Sequence, residues 1–445
     1  MKRSKLLIGV MLAMVTNVPA QKKWTLQECI DYALEHNITL KKSQLRKESA
    51  TEDLKGAKAA LFPTLNASTN QSLGYRPWQE SGTQLVTNGE VNAKVDKAYY
   101  NGSYSLSSQW TLWNGKRNVN TVKLDRLAEQ EAELQVEESA NSIQQSIARV
   151  YSQILYTDES VKVMEQVAET SRKNEQRGRE MVEVGSMSKA DLAQLTSQRA
   201  TDEYNVVATK SQLLTYKLQL KQLLEMTDET DFDVAIPDIS DDRLLAELPS
   251  LQSIYEAALT SRPEIERLQL AIKSSDVSLS IAKAGWLPNL SMTAGVSTST
   301  NSLANNNWGS QMKANVNASA GFQLSVPIWD GRSTKTAVNK AKINQLQAQL
   351  DLQDQEKTLY HDLQQYWVDA LTNQQKYLSA GASVESAQES YDLLSEQFRL
   401  GLKNIVELLT GKDKLLQAQQ NRLQSKYTAL YNEQMLQFYQ SGVIK

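Results

Sequence analysis

The sequence predicts a membrane protein of mixed α and β class, internally duplicated, in which four strands per chain join those of other copies in a closed barrel continuous with a long helical wall. Three observations predict it: a repeat at constant offset, four alternating segments with aromatic ends, and two very long segments without proline. Each copy has the plan helix, two strands, very long helix, helix.

Residues 26–65 return at 251–290 with an offset of 225. Leu26-Gln27 recurs as Leu251-Gln252, Ala33-Leu34 as Ala258-Leu259, Ala57-Lys58-Ala59 as Ala282-Lys283-Ala284, and Pro63-x-Leu65 as Pro288-x-Leu290. Farther on the offset is 216: Trp113-Asn114-Gly115 matches Trp329-Asp330-Gly331, and Gly185 matches Gly401. The first copy therefore has a loop nine residues longer between Leu65 and Trp110. A unit that recurs must fold the same way twice, so the repeat governs every later assignment. It sets a leader over 1–20, a first repeat over 21–227, a linker over 228–250 and a second repeat over 251–441.

Lys2, Arg3 and Lys5 precede a short apolar run over 6–15, and Val18-Pro19-Ala20 has the small residues of a cleavage site. This reads as a secretory leader, with the mature start near Gln21. No stretch reaches the roughly 18 apolar residues of a spanning helix. Cys29 lies past the cut, has no disulfide partner, and reads as a small apolar helix residue. The net charge of -3 and mean hydropathy of -0.48 come with no clustered basic face, so nucleic acid is not expected as a partner. Composition alone describes a soluble exported protein; the strands change that reading.

Side chains alternate faces along a strand. In 64–75, Leu65, Ala67, Thr69, Gln71, Leu73 and Tyr75 share a face; in 103–113, Tyr104, Leu106, Ser108, Trp110 and Leu112 oppose Ser103, Ser105, Ser107, Gln109 and Thr111. In the second copy Leu290, Met292, Ala294 and Val296 oppose Ser291, Thr293, Gly295 and Ser297. Over 316–328, Val316, Ala318, Ala320, Phe322, Leu324, Val326 and Ile328 oppose Asn317, Ser319, Gly321, Gln323 and Ser325. Trp110, Trp113, Trp286 and Trp329 mark one end of the strand set, and Tyr75, Trp78, Tyr99, Tyr100 and Trp308 the other. Strands of about ten residues between aromatic girdles are those of a membrane barrel. The alternative is a soluble β-layer packed on helices. A sheet in lipid cannot leave an edge unpaired, and four strands are too few to close, so several chains must pool theirs.

Segments 117–184 and 334–400 contain no proline and one glycine each, Gly178 and Gly381. At 1.5 Å per residue each predicts a helix of roughly 100 Å. Shorter helices are expected over 26–61, 189–226, 251–286 and 404–440, stacked in pairs along the long ones. Leu192, Val206, Leu213 and Leu220 recur in sevens, broken at Arg199; Leu408, Leu415, Leu423 and Leu430 nearly do. Such a narrow seam leaves polar flanks free to meet water on both sides of a wall. A solid coiled-coil stalk is the alternative. The linker is acidic (Asp228, Glu229, Asp231, Asp233, Asp238, Asp241, Asp242) and contains Pro237 and Pro249, as expected of a surface belt.

Motifs for phosphate, zinc or nucleophilic chemistry are missing, and His36 and His361 each stand alone on a helix. No catalytic residue, cofactor or metal is expected.

The junctions Leu61-Phe62-Pro63-x-Leu65 and Trp286-Leu287-Pro288-x-Leu290 occur in both copies, each followed by a glycine tip. The tips read Val184-Gly185-Ser186-Met187-Ser188-Lys189-Ala190-Asp191-Leu192 and Phe398-Arg399-Leu400-Gly401-Leu402-Lys403-Asn404-Ile405-Val406-Glu407-Leu408. On these motifs and the duplicated plan the chain resembles the outer-membrane efflux protein family, the TolC-like ducts, from about Trp24 to Ser441. The resemblance implies a homotrimer in the cell outer membrane: a 12-stranded barrel, four strands per chain, above a long periplasmic helical barrel whose tips close it. It implies gate roles for Glu407 as an acid, Lys403 as the basic residue after the turn, and Asp191 as its partner. Thr410 stands in place of a second acid, and Phe398 where a tyrosine can occur. Glu407 from three chains would form a cation-attracting ring, and Lys403 to Asp191 would be a tether. A periplasmic adaptor (membrane fusion) protein would touch Val184, Gly185, Ser186, Met187, Leu400, Gly401, Leu402 and Lys403.

The resemblance further implies a passive exit duct, without enzymatic activity, for a tripartite efflux pump or type I secretion system. The driving energy would come from an inner-membrane pump of the RND, ABC or MFS type. A reading of another class is a non-conducting coiled-coil scaffold. Loops 76–97 and 301–313 could add a receptor role.

Overall fold

The structure is a computed structural model describing residues 23–78, 97–227, 232–237, 240–304, 306–442 and 444, and the backbone of 82–86 and 89–93. The leader over 1–20, residues 79–81, 87, 88 and 94–96 of loop 76–97, and the linker acids Asp228, Glu229, Asp231 and Asp238 lie outside these residues.

The first copy runs β1 (Lys23–Trp24), α1 (Leu26–His36), α2 (Ile38–Ala59), β2 (Thr64–Tyr75), a small hairpin β3 (Gly82–Val86) and β4 (Gly89–Ala93), β5 (Ala98–Trp113), α3 (Arg117–Glu183) and α4 (Lys189–Leu223). The linker carries β6 (Asp233–Val234) and α5 (Asp241–Leu244). The second copy runs α6 (Leu251–Ser261), α7 (Pro263–Lys283), a 3-10 turn (Ala284–Trp286), β7 (Asn289–Asn301), α8 (Trp308–Ala314), β8 (Asn317–Ser325), α9 (Ser333–Arg399) and α10 (Ile405–Ser441). No described helix is long and apolar enough to cross a membrane.

Two expected helices prove to be broken. Segment 26–61 divides at Asn37, whose backbone leaves the helical region and whose Oδ1 accepts the Thr39 and Leu40 amides at 2.8 and 3.3 Å. Segment 251–286 divides at Arg262, and Pro263 opens the next helix, where its missing N–H costs nothing. Both breaks have local chemistry that helical periodicity overlooks.

The chain forms two compact units, and each draws on both copies, so the repeat is not a domain boundary. One gathers 42–137 and 263–357. Its sheet is antiparallel throughout, in the order β2-β5-β7-β8. Rows across one face are apolar in sequence: Leu290 beside Leu324; Trp110, Met292 and Phe322; Leu65, Ser108, Ala294 and Ala320; Ala67, Leu106, Val296 and Ala318. Beyond them the rows turn polar, with Thr69, Tyr104 and Thr298, then Gln71, Gly102 and Thr300. The apolar band thus spans about 20 Å along β7, close to that of membrane barrels. The opposite face carries hydroxyls and amides, among them Ser68 and Ser105 in contact at 2.7 Å.

β8 is shorter than expected. Pro327 has no N–H to give a ladder, and Val326 and Ile328 fall outside the strand. At its other end β8 begins opposite Ser297, so the last residues of β7 lose their partner. The short helix α8 replaces it. The Gln311 amide accepts the Asn301 N–H at 2.7 Å and donates to the Asn301 carbonyl at 3.0 Å; Asn315 Nδ2 donates to the Ser299 carbonyl at 2.6 Å. Side-chain amides finish the ladder that backbone would otherwise leave open.

In this unit α3 lies between α2 and α7, and α7 between α3 and α9. Lys47 meets Glu133 at 2.7 Å, Thr51 meets Glu129 at 2.8 Å, Ser274 meets Glu131 at 2.7 Å, and Gln345 meets Asp276 at 2.5 Å. α2 and α9 are left as open edges, with Leu45 on the first exposed and Ile343, Leu346 and Leu350 on the second.

Among the described residues, the other unit gathers those from 23–41, 138–262 and 358–444. Its core includes Ile147, Ile154, Leu155, Leu363, Met435 and Phe438. The duplication is visible in its bonding. Tyr151 on α3 donates to the Trp24 carbonyl at 3.2 Å, and Trp367 on α9 donates to the Pro249 carbonyl at 3.0 Å. These pairs are one repeat apart in sequence, so each long helix pins the entry to its own copy's first helix. α10 is held by α3 (Ser160 to Gln420, 3.1 Å; Lys426 to Glu159, 3.2 Å) and by α9 (Arg422 to Tyr377, 3.2 Å). α4 lies on α3, with Lys210 and Glu165 at 2.6 Å. Again one edge comes from each copy: α4 exposes Tyr204, Val207, Leu214 and Leu218, and α9 exposes Leu371, Leu378 and Leu393.

Candidate functional site

The two hairpin tips are built alike. After α3, Gly185 turns left-handed (φ 76°), the Ser186 amide reaches back to the Met181 carbonyl at 2.8 Å, and the Gly185 amide to Val182 at 3.0 Å. After α9, Gly401 (φ 73°), Leu402 to Gln397 (2.8 Å) and Gly401 to Phe398 (3.0 Å) repeat the pattern. This paired closure satisfies the last carbonyls, and glycine enters the left-handed region without a Cβ penalty. Val184, Leu400, Leu402 and Val406 are left exposed.

The acids expected at the gate both sit at the third position of the following helix. Ser188 caps α4: its Oγ accepts the Asp191 amide at 3.1 Å and donates to Asp191 Oδ2 at 2.8 Å. Asn404 caps α10 in a reciprocal box, with the Glu407 amide to Asn404 Oδ1 at 2.9 Å and the Asn404 amide to Glu407 Oε2 at 3.3 Å. Within the chain, Lys403 Nζ lies 2.5 Å from Glu407 Oε1, four residues along, and Asp191 is engaged by Ser188. Lys403, then the Asn404 amide, holds the Glu407 carboxyl below its ordinary range. Thr410 is exposed and its hydroxyl bonds back to the Val406 carbonyl at 2.7 Å. Phe398 is buried.

Phe398 belongs to an apolar cluster that crosses between hairpins: Leu195 of α4, Tyr391 and Phe398 of α9, and Ile405, Leu408 and Leu415 of α10, flanked by Met181 and Met187. Exposing any one of these would cost roughly 1.5–3 kcal/mol. The hairpins themselves close by reciprocal fits. In the first, Leu195 packs over Gly178; in the second, Leu394 packs over Gly411. Positions 178 and 394 correspond, as do 195 and 411, so glycine and leucine have exchanged helices between copies.

Beside this cluster a charged pair is fully buried. Lys412 Nζ lies 2.6 Å from Asp202 Oδ2, with the two side chains 3% and 4% exposed. Ser171 also donates to Asp202 Oδ2, Gln198 to Oδ1 at 3.0 Å, and nearby Asn174 Nδ2 donates to Tyr391 Oη at 3.3 Å. None of these was among the residues expected from sequence. The signal was present: Asp202 stands seven residues after Leu195, and Lys412 between Leu408 and Leu415, so each puts a charge on an apolar stripe.

Arg199, the break in the α4 heptads, has a similar explanation. It meets buried Glu175 at 2.6 Å, which Arg179 (2.7 Å) and Thr196 (2.9 Å) also contact. Arg179 leads in holding the Glu175 carboxyl below its ordinary 4.5. A depressed carboxyl stabilises the fold above its unfolded value and loses that contribution as pH falls through the folded one. Helical ellipticity followed on acidification below 4.5 is therefore expected to show thermal stability falling more steeply in the parent than in Glu175→Gln. Parallel curves would mean that Glu175 carries no such linkage.

The aromatics expected at the membrane interfaces are surface residues. Trp110, Trp113, Trp286 and Trp329 are exposed, as are Tyr75 and Trp308. Trp110 Nε1 donates to the Leu61 carbonyl at 2.9 Å across the helix-to-strand junction, and Trp308 meets Tyr104 edge-on at 6.2 Å.

Residues 29–225 and 254–440 match the family described as outer membrane efflux protein. The outer membrane efflux protein BepC of Brucella suis is 21% identical over 403 residues, covering 91% of this chain and 82% of its own. The alkaline protease secretion protein AprF of Pseudomonas aeruginosa is 22% identical over 400 residues, covering 87% and 78%. In fold, the crystal structure of the CmeC outer membrane channel of Campylobacter jejuni superposes with a TM-score of 0.74 at 19% identity, over 94% of this chain and 86% of that one.

Proposed function

This chain belongs to the outer membrane efflux protein family, and from that premise we infer that it is the outer-membrane exit duct of a tripartite efflux pump or type I secretion system. It is a passive channel that works as a homotrimer. The open edges carry this reading. The sheet ends in β2 on one side and β8 on the other, and each helical unit ends in a first-copy helix on one side and α9 on the other. Two different edges on one molecule make a head-to-tail contact, which closes into a ring when the rotation suits. In lipid, closure is the only way to pair the edge groups of β2 and β8.

The apolar rows from Leu290 to Val296 then face lipid, between Trp110, Trp113, Trp286 and Trp329 at one interface and Tyr75 and Trp308 at the other. The hydroxyl-rich face lines water. The tips point into the periplasm, where exposed Val184, Leu400 and Leu402 offer the apolar contact for an adaptor protein. An inner-membrane pump of the RND, ABC or MFS type supplies the energy. At the closed end Glu407 acts paired with Lys403, so the ring there is one of ion pairs and attracts cations only moderately. Efflux and protein secretion are both represented among the relatives, and the duct reading covers both.

Native mass measurement of the full chain in detergent is expected to give a trimer, and planar-bilayer recording of that trimer a discrete ion conductance. A water-soluble protein with no conductance would replace the duct with a structural scaffold. A conducting monomer would remove the closure argument.

A further inference from the structure

Fixed charge is sorted along the unit that holds the sheet. Strands β2, β5, β7 and β8 contain no Asp, Glu, Lys or Arg, although these make up 22% of the chain. Charge returns at one end of the sheet, where Thr64 lies beside Gln109, Trp113 beside Leu290 and Asn289 beside Ser325. Every helix that meets the sheet there carries exposed cations at the junction: Lys58 on α2, Lys116 and Arg117 at the start of α3, Lys283 on α7, and Arg332 and Lys335 at the start of α9. Composition gave no sign of a basic face, because four separate segments supply it and only the fold gathers them.

Nothing within the chain calls for these cations. Among the described residues none of the six forms an ion pair. Nearby acids are occupied: Asp330 accepts the Thr334 amide at 2.7 Å, and Asp276 accepts from Gln345 Nε2 at 2.5 Å. Neither long helix has an acid in its first turn, where the positive end of a helix favours one; α3 opens on Arg117 instead, and Lys335 is third in α9. Lys116 and Arg332, equivalent in the two copies, are held in the left-handed region (φ 65° and 70°), which glycine or asparagine enters more readily. Farther along α3 the sign reverses at Glu129, Glu131 and Glu133. Local preference is thus broken in the same way in both copies, three residues beyond exposed Trp113 and Trp329.

We propose that these cations form a collar that binds the anionic headgroups of glycerophospholipids in the periplasm-facing leaflet of the outer membrane. The proposal rests on the duct reading above, which puts the charge-free strands in lipid and the tryptophans at its border. Charge complementarity then selects the occupant, since basic clusters beside a membrane span are drawn to anionic lipid. A cation three residues beyond an interfacial tryptophan stands near headgroup depth, and long Lys and Arg side chains extend to reach it. The collar fixes the depth of the barrel. Sliding one way would drag cations into hydrocarbon, and sliding the other would part them from the phosphates.

The test is competition between lipids at the tryptophans. Full-length protein is reconstituted into mixed vesicles in which either phosphatidylglycerol or phosphatidylcholine carries bromine, which quenches tryptophan fluorescence. In about 0.1 M salt the apparent affinity is expected to favour phosphatidylglycerol by about threefold or more, and in about 1 M salt, where screening acts within about 3 Å, the preference is expected to vanish. Lys116→Asn, Arg117→Gln, Arg332→Asn and Lys335→Gln together, with asparagine keeping the left-handed turns, are expected to remove it at low salt. The salt comparison needs no substitution. Equal affinity for the two lipids in the parent at low salt overturns the proposal, and so does a preference that survives high salt or the four substitutions. Current recorded after fusing the same vesicles with a planar bilayer separates this from the duct. A conducting parent without lipid preference loses only the collar. A parent quenched by neither lipid does not lie in the bilayer, and the duct falls with the collar.

Discussion

Leu106→Arg is expected to abolish the folded trimer, while Ser107→Arg, one residue away, leaves it intact. The two positions share a depth and differ only in face. Leu106 lies in the row of Ala67, Val296 and Ala318, and Ser107 in the row of Asn66, Gly295 and Ser319 on the other side of the sheet. A cationic side chain directed at lipid near the midplane costs about 2–4 kcal/mol, and assembly repeats that cost in every copy. Toward the interface the cost falls to about 0–1 kcal/mol. Leu106 and Leu324 stand in the two end rows of the apolar band, so arginine at either is expected to cost an amount between these limits in every copy. The measurement is the fraction of each variant recovered as trimer after extraction from outer membranes. Equal recovery of Leu106→Arg and Ser107→Arg would mean that the sheet does not lie in lipid, and recovery of Leu106→Arg alone that the faces are exchanged.

The second large effect is expected at Lys412. Lys412→Leu leaves the Asp202 carboxylate buried with only Ser171 and Gln198 to solvate it. Breaking a buried pair from one side typically costs 3–5 kcal/mol, because the surviving charge is neither paired nor hydrated, an expectation of about that size here. Replacing both partners removes the penalty along with the attraction. Lys412→Leu with Asp202→Leu is therefore expected to melt close to the parent, well above the single variant. Thermal loss of helical ellipticity in the three proteins measures this. If the single and double variants melt alike, the site is wetter than its burial indicates and the pair does not bind the hairpins.

The gate residues show how far local sequence reaches. Asp191 and Glu407 were found as acids placed after a glycine turn, and that placement is a matter of sequence. Their partners are not. Within one chain Lys403 meets Glu407, because an i, i+4 neighbour is always within reach, whereas a more distant partner must be brought there by packing. Glycine tips, by contrast, were legible outright, since a left-handed residue closing a helix is a local requirement with few chemical solutions.

The chain's own residues determine the duplication, the two-faced strands, the long proline-free helices and the turns between them, because each depends on neighbours a few residues apart. Periodicity missed the breaks at Asn37 and Arg262 and the early end of β8, although the caps and prolines that cause them are in the sequence. Tertiary structure alone decided what is paired across distance: the strand order β2-β5-β7-β8, the ladder completed by Gln311 and Asn315, the exchange of glycine and leucine between Gly178–Leu195 and Leu394–Gly411, and the meeting of Asp202 with Lys412. The reason is physical. Backbone and cap preferences act over one turn or one strand step, while burial of a charge or a close helix approach depends on which surface the rest of the chain delivers. A lone aspartate on an apolar stripe announces that a partner must exist; only the packed helices say that it is a lysine 210 residues away.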